Sequence, residues 1–175
     1  MSLRDYMYYG LPTSTLVHKF ANIATTSLKC GKNCRIDAFV TITGDVTLGN
    51  RVHIGTGACL FGTHGITIGD GASISPGAKI FSASEDVTSD LVSNPQVENR
   101  YTLNGAVDIG RLAVIGANSV VLPGAFISDE SVVGALSLVK GGQWIGHRDI
   151  VVGVPSRYIR ARTRVNKQMT FGGKL

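Results

Sequence analysis

Aromatic side chains make up only 7% of this 175-residue chain, and charged ones only 17%. Cysteine occurs three times, at 30, 34 and 59, too few and too odd in number for a disulfide framework. No apolar run approaches the ~18 residues that span a bilayer. The opening Met1-Ser2-Leu3-Arg4-Asp5 carries an acid and no signal-peptide core. A reduced, cytoplasmic compartment is the expectation. Disorder is excluded by a hydrophobic content of 43%. Glycine is abundant, at 22 residues. Plentiful glycine with few aromatics does not suit a helical bundle.

The net charge of +5 is unevenly spread. Residues 140–175 hold eight bases and one acid, whereas residues 1–139 hold nine bases and eleven acids. A basic end favours an anionic partner.

Aliphatic residues recur every six positions. They are Ile36, Ile42, Leu48, Ile54 and Leu60, with Cys30 in phase ahead, then Ile68, Ile74 and Ile80, then Ile109, Ile115, Val121, Ile127, Val133 and Val139. A second track, two residues earlier, is small or β-branched: Val40, Val46, Ala58, Ala72, Ala113, Ser119, Ala125 and Ser137 among others. Period two within each hexad is a short strand, and period six turns a corner after it. No α-helix has this period. Residues 30–139 therefore predict a parallel β-solenoid of about five triangular coils, roughly 24 Å long at ~4.8 Å per coil. Glycine after the first track, as at Gly31, Gly49 and Gly69, supplies backbone freedom and room at the corners.

The ends predict helical caps. Pro12 followed by Leu16, Phe20 and Ile23 has helical spacing, and Pro155 reads as a first helical position before Arg157 and Arg160. The organisation is then a cap over 1–29, the solenoid over 30–139 and a C-terminal helix with basic tail over 140–175.

The repeat is broken twice. Between Leu60 and Ile68 the spacing is eight, and Phe61-Gly62-Thr63-His64-Gly65 is pushed out of the prism. Residues 82–106 contain no hexads and carry Glu85, Asp86, Asp90 and Glu98. A loop of this length is usually functional or disordered.

The aliphatic-Gly-x-x-small-x repeat resembles the left-handed parallel β-helix of the hexapeptide acyltransferases, and the left hand is implied by that resemblance. The stretch from Ile66 through Gly69-Asp70-Gly71 to Ile80 is similar to galactoside and maltose O-acetyltransferases. Gly153-Val-Pro-Ser-Arg157-Tyr-Ile-Arg160 resembles their C-terminal signature. Phe81-Ser-Ala-Ser-Glu85-Asp86, Asn94-Pro95 and the run from Gly134 to Lys140 resemble sugar O-acetyltransferases of surface polysaccharide and lipopolysaccharide biosynthesis. Related enzymes acetylate amino groups of nucleotide-linked sugars.

The resemblance implies acetyl-CoA as co-substrate, a sugar or nucleotide-sugar acceptor and a homotrimer. It also implies that Arg157 and Arg160 contact CoA. One departure stands out: the general-base histidine of the galactoside-type enzymes is replaced here by Glu85, beside Asp86.

A hydroxyl acceptor needs a base with a pKa near the working pH. His64, on its distended corner, is the candidate, with Glu85 or Asp86 orienting or replacing it; a solvated surface histidine is the competing reading. Lys140 would join the arginines on CoA phosphates. Ala117, Ser119, Ala135 and Ser137, small and on neighbouring coils, would line the pantetheine groove. An amine acceptor would need no strong base.

The leading expectation is thus O-acetylation of a sugar, with N-acetylation of a nucleotide-linked amino sugar and a non-catalytic scaffold as alternatives. Zinc chemistry of the γ-class carbonic anhydrase kind is disfavoured, because His53 and His64 stand eleven apart with no histidine pair following. Nucleic-acid binding is disfavoured by thin aromatic interleaving in the basic tail.

Overall fold

The computed structural model describes residues 6–7, 10–25, 27–85 and 102–163. The chain is an all-β solenoid of about six turns. One face stacks Leu16–His18, Arg35–Ile36, His53–Ile54, Ser73–Ile74, Val114–Ile115, Val132–Val133 and Asp149–Val152, all parallel. The second stacks Asn22–Ala24, the starts of Thr41–Leu48 and Cys59–Ile68, then Lys79–Phe81, Val120–Val121 and Leu138–Val139. The third stacks Leu28–Cys30, the ends of the same two long strands, then Val107–Ile109, Phe126–Ile127 and Trp144–Ile145.

Both six-residue tracks point inward. Ile36, Ile54, Leu60 and Ile80 are fully buried, as are Ala58, Ala72, Ala113 and Ser119 on the small track. Alternating bulky and small layers fill a narrow interior without voids. Cys34 belongs to this core, its thiol 3.0 Å from the Gly49 carbonyl.

The helical caps are not there: no helix occurs among the described residues. At the N-terminal end Leu16 and Phe20 are exposed while Leu11 and Val17 are buried. The six-residue period of Leu11, Val17 and Ile23 outweighs the helical one, because strand Leu16–His18 pairs with Arg35–Ile36 and a helix would have no such partner. The repeat also runs on through Ile145 and Val151, which is why six turns replace five.

At the C-terminal end Pro155 lies in a turn, its bond to Val154 cis, and Arg157–Ala161 returns antiparallel along Asp149–Val152. The last coil otherwise presents a row of unpaired backbone groups. A strand satisfies that row on one face, and a helix cannot.

The corner glycines work differently from the expectation. Left-handed backbone recurs at the regular corners three residues after the first-track residue, at Asn33, Phe39, Arg51, Leu112, Asn118, Glu130, Leu136 and Arg148 and at Gly57, Gly71, Gly77, Gly124 and Gly142. The glycine one residue after the aliphatic has no positive φ. It is there for close approach: a β-carbon on Gly69 would lie 2.7 Å from the Arg111 nitrogen of the next coil.

The corner joining the third face to the first is a side-chain ladder. Asn50 Oδ1 accepts from the Lys32 N–H at 3.0 Å, Asp70 Oδ1 from the Asn50 N–H at 2.7 Å, and Asp129 Oδ1 from the Arg111 N–H at 2.7 Å. The backbone bond from Asn50 holds the Asp70 carboxyl below its ordinary pKa, and that from Arg111 does the same for Asp129.

Candidate active site

Both breaks in the repeat leave from one corner, that between the second face and the third, on adjacent coils. Thr41–Leu48 and Cys59–Ile68 run continuously around it, and their register shifts between Gly44 and Val46 where the two extra residues sit. Ser82 ties the distortions together. It is fully buried; its hydroxyl accepts from the His64 N–H at 2.8 Å and donates to the Phe61 carbonyl at 3.0 Å. The ends of the excursion then zip into an antiparallel ribbon, Ala83–Glu85 against Thr102–Asn104. Gly105 returns the chain by donating to the Ser82 carbonyl at 3.0 Å.

The ribbon divides the corner into two clefts. The upper, about 590 Å³, is lined by His64, Thr63, Phe81, Ala83, Glu85 and the shared residues Ser84, Asn104 and Leu122. The Phe61 and Phe81 rings stack 5.2 Å apart on the adjoining face. The lower, about 360 Å³, shares those three residues and adds Leu103, Pro123, Gly124, Gly141 and Gly142. Strand alternation sorts the ribbon: Ala83 and Glu85 line only the upper cleft, Leu103 only the lower.

His64 and Glu85 therefore share a cleft. His64 is exposed, and among the described residues its ring makes no hydrogen bond, to Glu85 or to anything else. Glu85 Oε2 is buried and, among the described residues, has no hydrogen-bond partner. A buried, unsatisfied carboxylate oxygen is costly and marks a place where a donor is missing. Asp86 lies outside the described residues.

The proposed CoA contacts divide. Lys140 is exposed on the same corner, beside Gly141. Arg157 and Arg160 are exposed on the terminal antiparallel strand and line neither cleft; Arg157 donates to the Ser156 carbonyl, which also accepts from Gln143, the residue after Gly142. Ala117 and Ala135 lie on neighbouring coils of another corner, joined by the Leu136 N–H to Ala117 carbonyl bond of 2.9 Å. Ser119 and Ser137, expected with them on the pantetheine groove, occupy the same two coils. Both are buried on the inward track, the Ser119 hydroxyl donating to Gly134 O at 2.7 Å and that of Ser137 to Ala135 O at 3.3 Å.

Sequence reasoning did not single out Ser84, Asn104 or Leu122. The ribbon that places the first two has no hexad signal, and only Asn104-Gly105, a turn dipeptide before the repeat resumes, hints at it. Elsewhere, His53 Nε2 lies 2.8 Å from Asp37 Oδ2, and Arg35 Nε donates to Asp37 Oδ1 at 2.7 Å. Burial pushes the Asp37 carboxyl up, but the hydrogen bonds from His53 and Arg35 outweigh it and hold the group below its ordinary value. Among the described residues no group of three histidine, cysteine or acidic side chains could hold a metal ion, and no helix is long and apolar enough to cross a membrane.

Comparison with known proteins adds independent information. Residues 28–62 match the family described as bacterial transferase hexapeptide (six repeats). Over 143 residues, 79% of this chain and 73% of the relative, the sequence is 32% identical to dTDP-4-amino-4,6-dideoxy-D-glucose acyltransferase of Escherichia coli. It is 37% identical to the carnitine operon protein CaiE of Escherichia coli K12 over 67% of this chain and 59% of that one. Among solved structures, a variant of AntD, an N-acyltransferase from Bacillus cereus, in complex with dTDP-4-amino-4,6-dideoxyglucose and coenzyme A, superposes with a TM-score of 0.82. Its identity is 32%, with 88% of this chain and 84% of AntD covered. AntD with dTDP and 3-hydroxybutyryl-CoA superposes at 0.80, with 34% identity, covering 87% of this chain and 82% of AntD. Repeat, solenoid and relatives agree: the chain belongs to the hexapeptide-repeat acyltransferase family.

Proposed function

We propose that the protein transfers an acyl group from acyl-CoA to the amino group of a nucleotide-linked amino sugar, dTDP-linked as in the name of the Escherichia coli acyltransferase and in the AntD complex. The observation that carries this reading is the buried Glu85 Oε2 in the upper cleft, which has no partner among the described residues. A sugar amine is an ammonium ion at neutral pH. It supplies the charged N–H donor that this oxygen lacks, and a charge-assisted bond of that kind is strong. The ammonium first gives one proton to solvent, and the nitrogen lone pair then attacks the thioester carbonyl. The C–N bond forms, the C–S bond breaks, and CoA leaves as a thiolate. Glu85 receives the second proton that the nitrogen sheds and passes it to the thiolate or to solvent. The oxyanion of the tetrahedral intermediate needs N–H or O–H donors. Ser84 and Asn104, which line both clefts, carry donors of that kind.

This reading displaces O-acetylation as the leading one. A hydroxyl acceptor needs a base in the right tautomer, and the exposed His64 ring has no described partner to fix one. Lys140, Arg157 and Arg160 remain the proposed contacts for CoA phosphates, and Ala117 and Ala135 a proposed wall for its arm. A homotrimer remains proposed for the assembly.

The test is thiol release from acetyl-CoA and 3-hydroxybutyryl-CoA with dTDP-4-amino-4,6-dideoxyglucose, beside the same sugar nucleotide carrying a hydroxyl for the amine. Turnover with the amine alone, retained in His64→Ala, supports the proposal. Turnover with the hydroxyl that collapses in His64→Ala restores O-acetylation. Neither turnover nor CoA binding with any acceptor points to a scaffold.

A further inference from the structure

We infer that the outer side of the third face carries a binding site for a neutral sugar, built around Phe126 and separate from both clefts. A hollow of about 490 Å³ lies there, beside the regular corner, and shares no residue with either cleft. It spans three rungs of the solenoid, with Thr67, Asp108 and Phe126 facing outward on successive strands. At ~4.8 Å per rung it runs about 10 Å along the prism, room for more than one sugar ring. Phe126 is 46% exposed, and its register partner on the next coil, Trp144, is 70% exposed. Two large apolar side chains side by side in water mark a contact surface. An aromatic face is electron-rich and attracts the polarised C–H groups on one side of a pyranose.

The polar groups around Phe126 select the ligand. Asp129 grips Arg111 twice, accepting from its backbone N–H at 2.7 Å and from Nε at 3.1 Å, so the guanidinium is held in place. Among the described residues, the terminal nitrogens of Arg111, the His147 ring and the Asp108 carboxyl make no hydrogen bond. The hollow thus offers free donors beside a free acceptor. A sugar hydroxyl donates and accepts at once and can use both. Charge argues against the phosphates of a sugar nucleotide or of CoA. Asp108 and Asp129 stand against Arg111 and His147, and Asp129 already pairs with Arg111. No surplus of positive charge is left in the hollow to draw a polyanion. A neutral sugar pays no such penalty, and one bound here would anchor the protein to a glycan while leaving the clefts free.

Trp144 is the single tryptophan of the chain, so intrinsic emission reports on this face. The full-length protein is titrated with glucose, galactose, N-acetylglucosamine, maltose and lactose, and separately with dTDP and with CoA. Expected is a saturable change in emission with at least one of the sugars and none with dTDP or CoA. Phe126→Ala and Asp108→Ala should each weaken binding of that sugar about tenfold. Thiol release with dTDP-4-amino-4,6-dideoxyglucose should be unchanged in both. The double variant Phe126→Trp, Trp144→Phe moves the only indole into the hollow and should enlarge the response. No saturable response to any of these sugars, in the native protein or in the double variant, would overturn the inference. A response to dTDP or CoA that Phe126→Ala removes would also overturn it, giving the hollow to acyl transfer. A smaller assembly in Phe126→Asp would overturn it as well, placing this face between copies of the chain. Because sugar binding is read without donor or acceptor, a normal response in a protein that shows no turnover would support the site and count only against the amino-sugar acceptor.

Discussion

Two corners of one prism solve the same bend in opposite ways. Where the third face meets the first, every coil turns with the same spacing, and Asn50, Asp70 and Asp129 accept from amides of the preceding coil. Where the second face meets the third, extra residues are pushed outward on two adjacent coils, and a single buried hydroxyl, that of Ser82, holds them. The first corner leaves no backbone space, as the position of Gly69 shows. The second carries two clefts and an unsatisfied carboxylate oxygen. The regular corner also borders a hollow of about 490 Å³, lined by Arg111, Asp129 and His147, but its carboxylates already accept from backbone amides, whereas the irregular corner holds the unsatisfied oxygen.

The sharpest way to test that division is Glu85→Gln. It keeps the shape of the upper cleft and removes its charge. Turnover of the amine acceptor should fall 100-fold or more, in the range of lost acid–base catalysis, while the denaturant midpoint stays put or rises. A fall in both together would break the comparison.

Gly69→Ala should do the reverse. The added methyl meets the Arg111 backbone, so stability should drop by about 1–3 kcal/mol, as for overpacked sites. Chemical denaturation reads this, and thiol release per folded molecule should be unchanged. At the distended corner the control Thr63→Ala, on an exposed residue, should cost less than about 0.5 kcal/mol.

Ser82→Ala is expected to have a smaller effect. It leaves the His64 N–H without its acceptor and should cost about 1 kcal/mol, the net value of one hydrogen bond. Exchange at the His64 amide should quicken while the Asn50 amide is unaffected.

The smallest effect is acid sensitivity of the regular corner. The Asp70 and Asp129 carboxyls titrate below the ordinary aspartate value. Their contribution is therefore complete above about pH 3.9 and is lost as pH falls through their lower folded values. Protection of the Asn50 and Arg111 amides should fall there. In Asp129→Asn the Arg111 amide should become insensitive, since Asn50 already serves the Lys32 amide with an uncharged oxygen.

The solenoid was legible in the sequence because its period is set by inward side chains. Ile36 to Val139 repeat regardless of what lies outside. The ends were not, because Pro12 and Pro155 and the three-to-four spacing of Leu16, Phe20 and Ile23 satisfy helical rules as well as solenoid ones. What decides between them is a neighbouring edge, which spacing does not display. The distended corner was visible as a broken period, and with it His64 and Glu85. Ser84 and Asn104 were not, since a short ribbon paired across residues 84 and 103 carries no local signature. Ser119 and Ser137 stand on the inner track that the six-residue period assigns them, and their hydroxyls are engaged by the Gly134 and Ala135 carbonyls.

The excursion has one further consequence, for how the chain closes on itself. An ordinary rung joins residues eighteen apart, as Val121 and Val139 are, whereas Ile80 must find Val121, forty-one residues on. Loop-closure entropy grows only as the logarithm of length, so the longer search adds about 0.7 kcal/mol. That is less than one ordinary hydrogen bond contributes. A stacked coil can therefore acquire a long insertion between two rungs without losing the pairing of either.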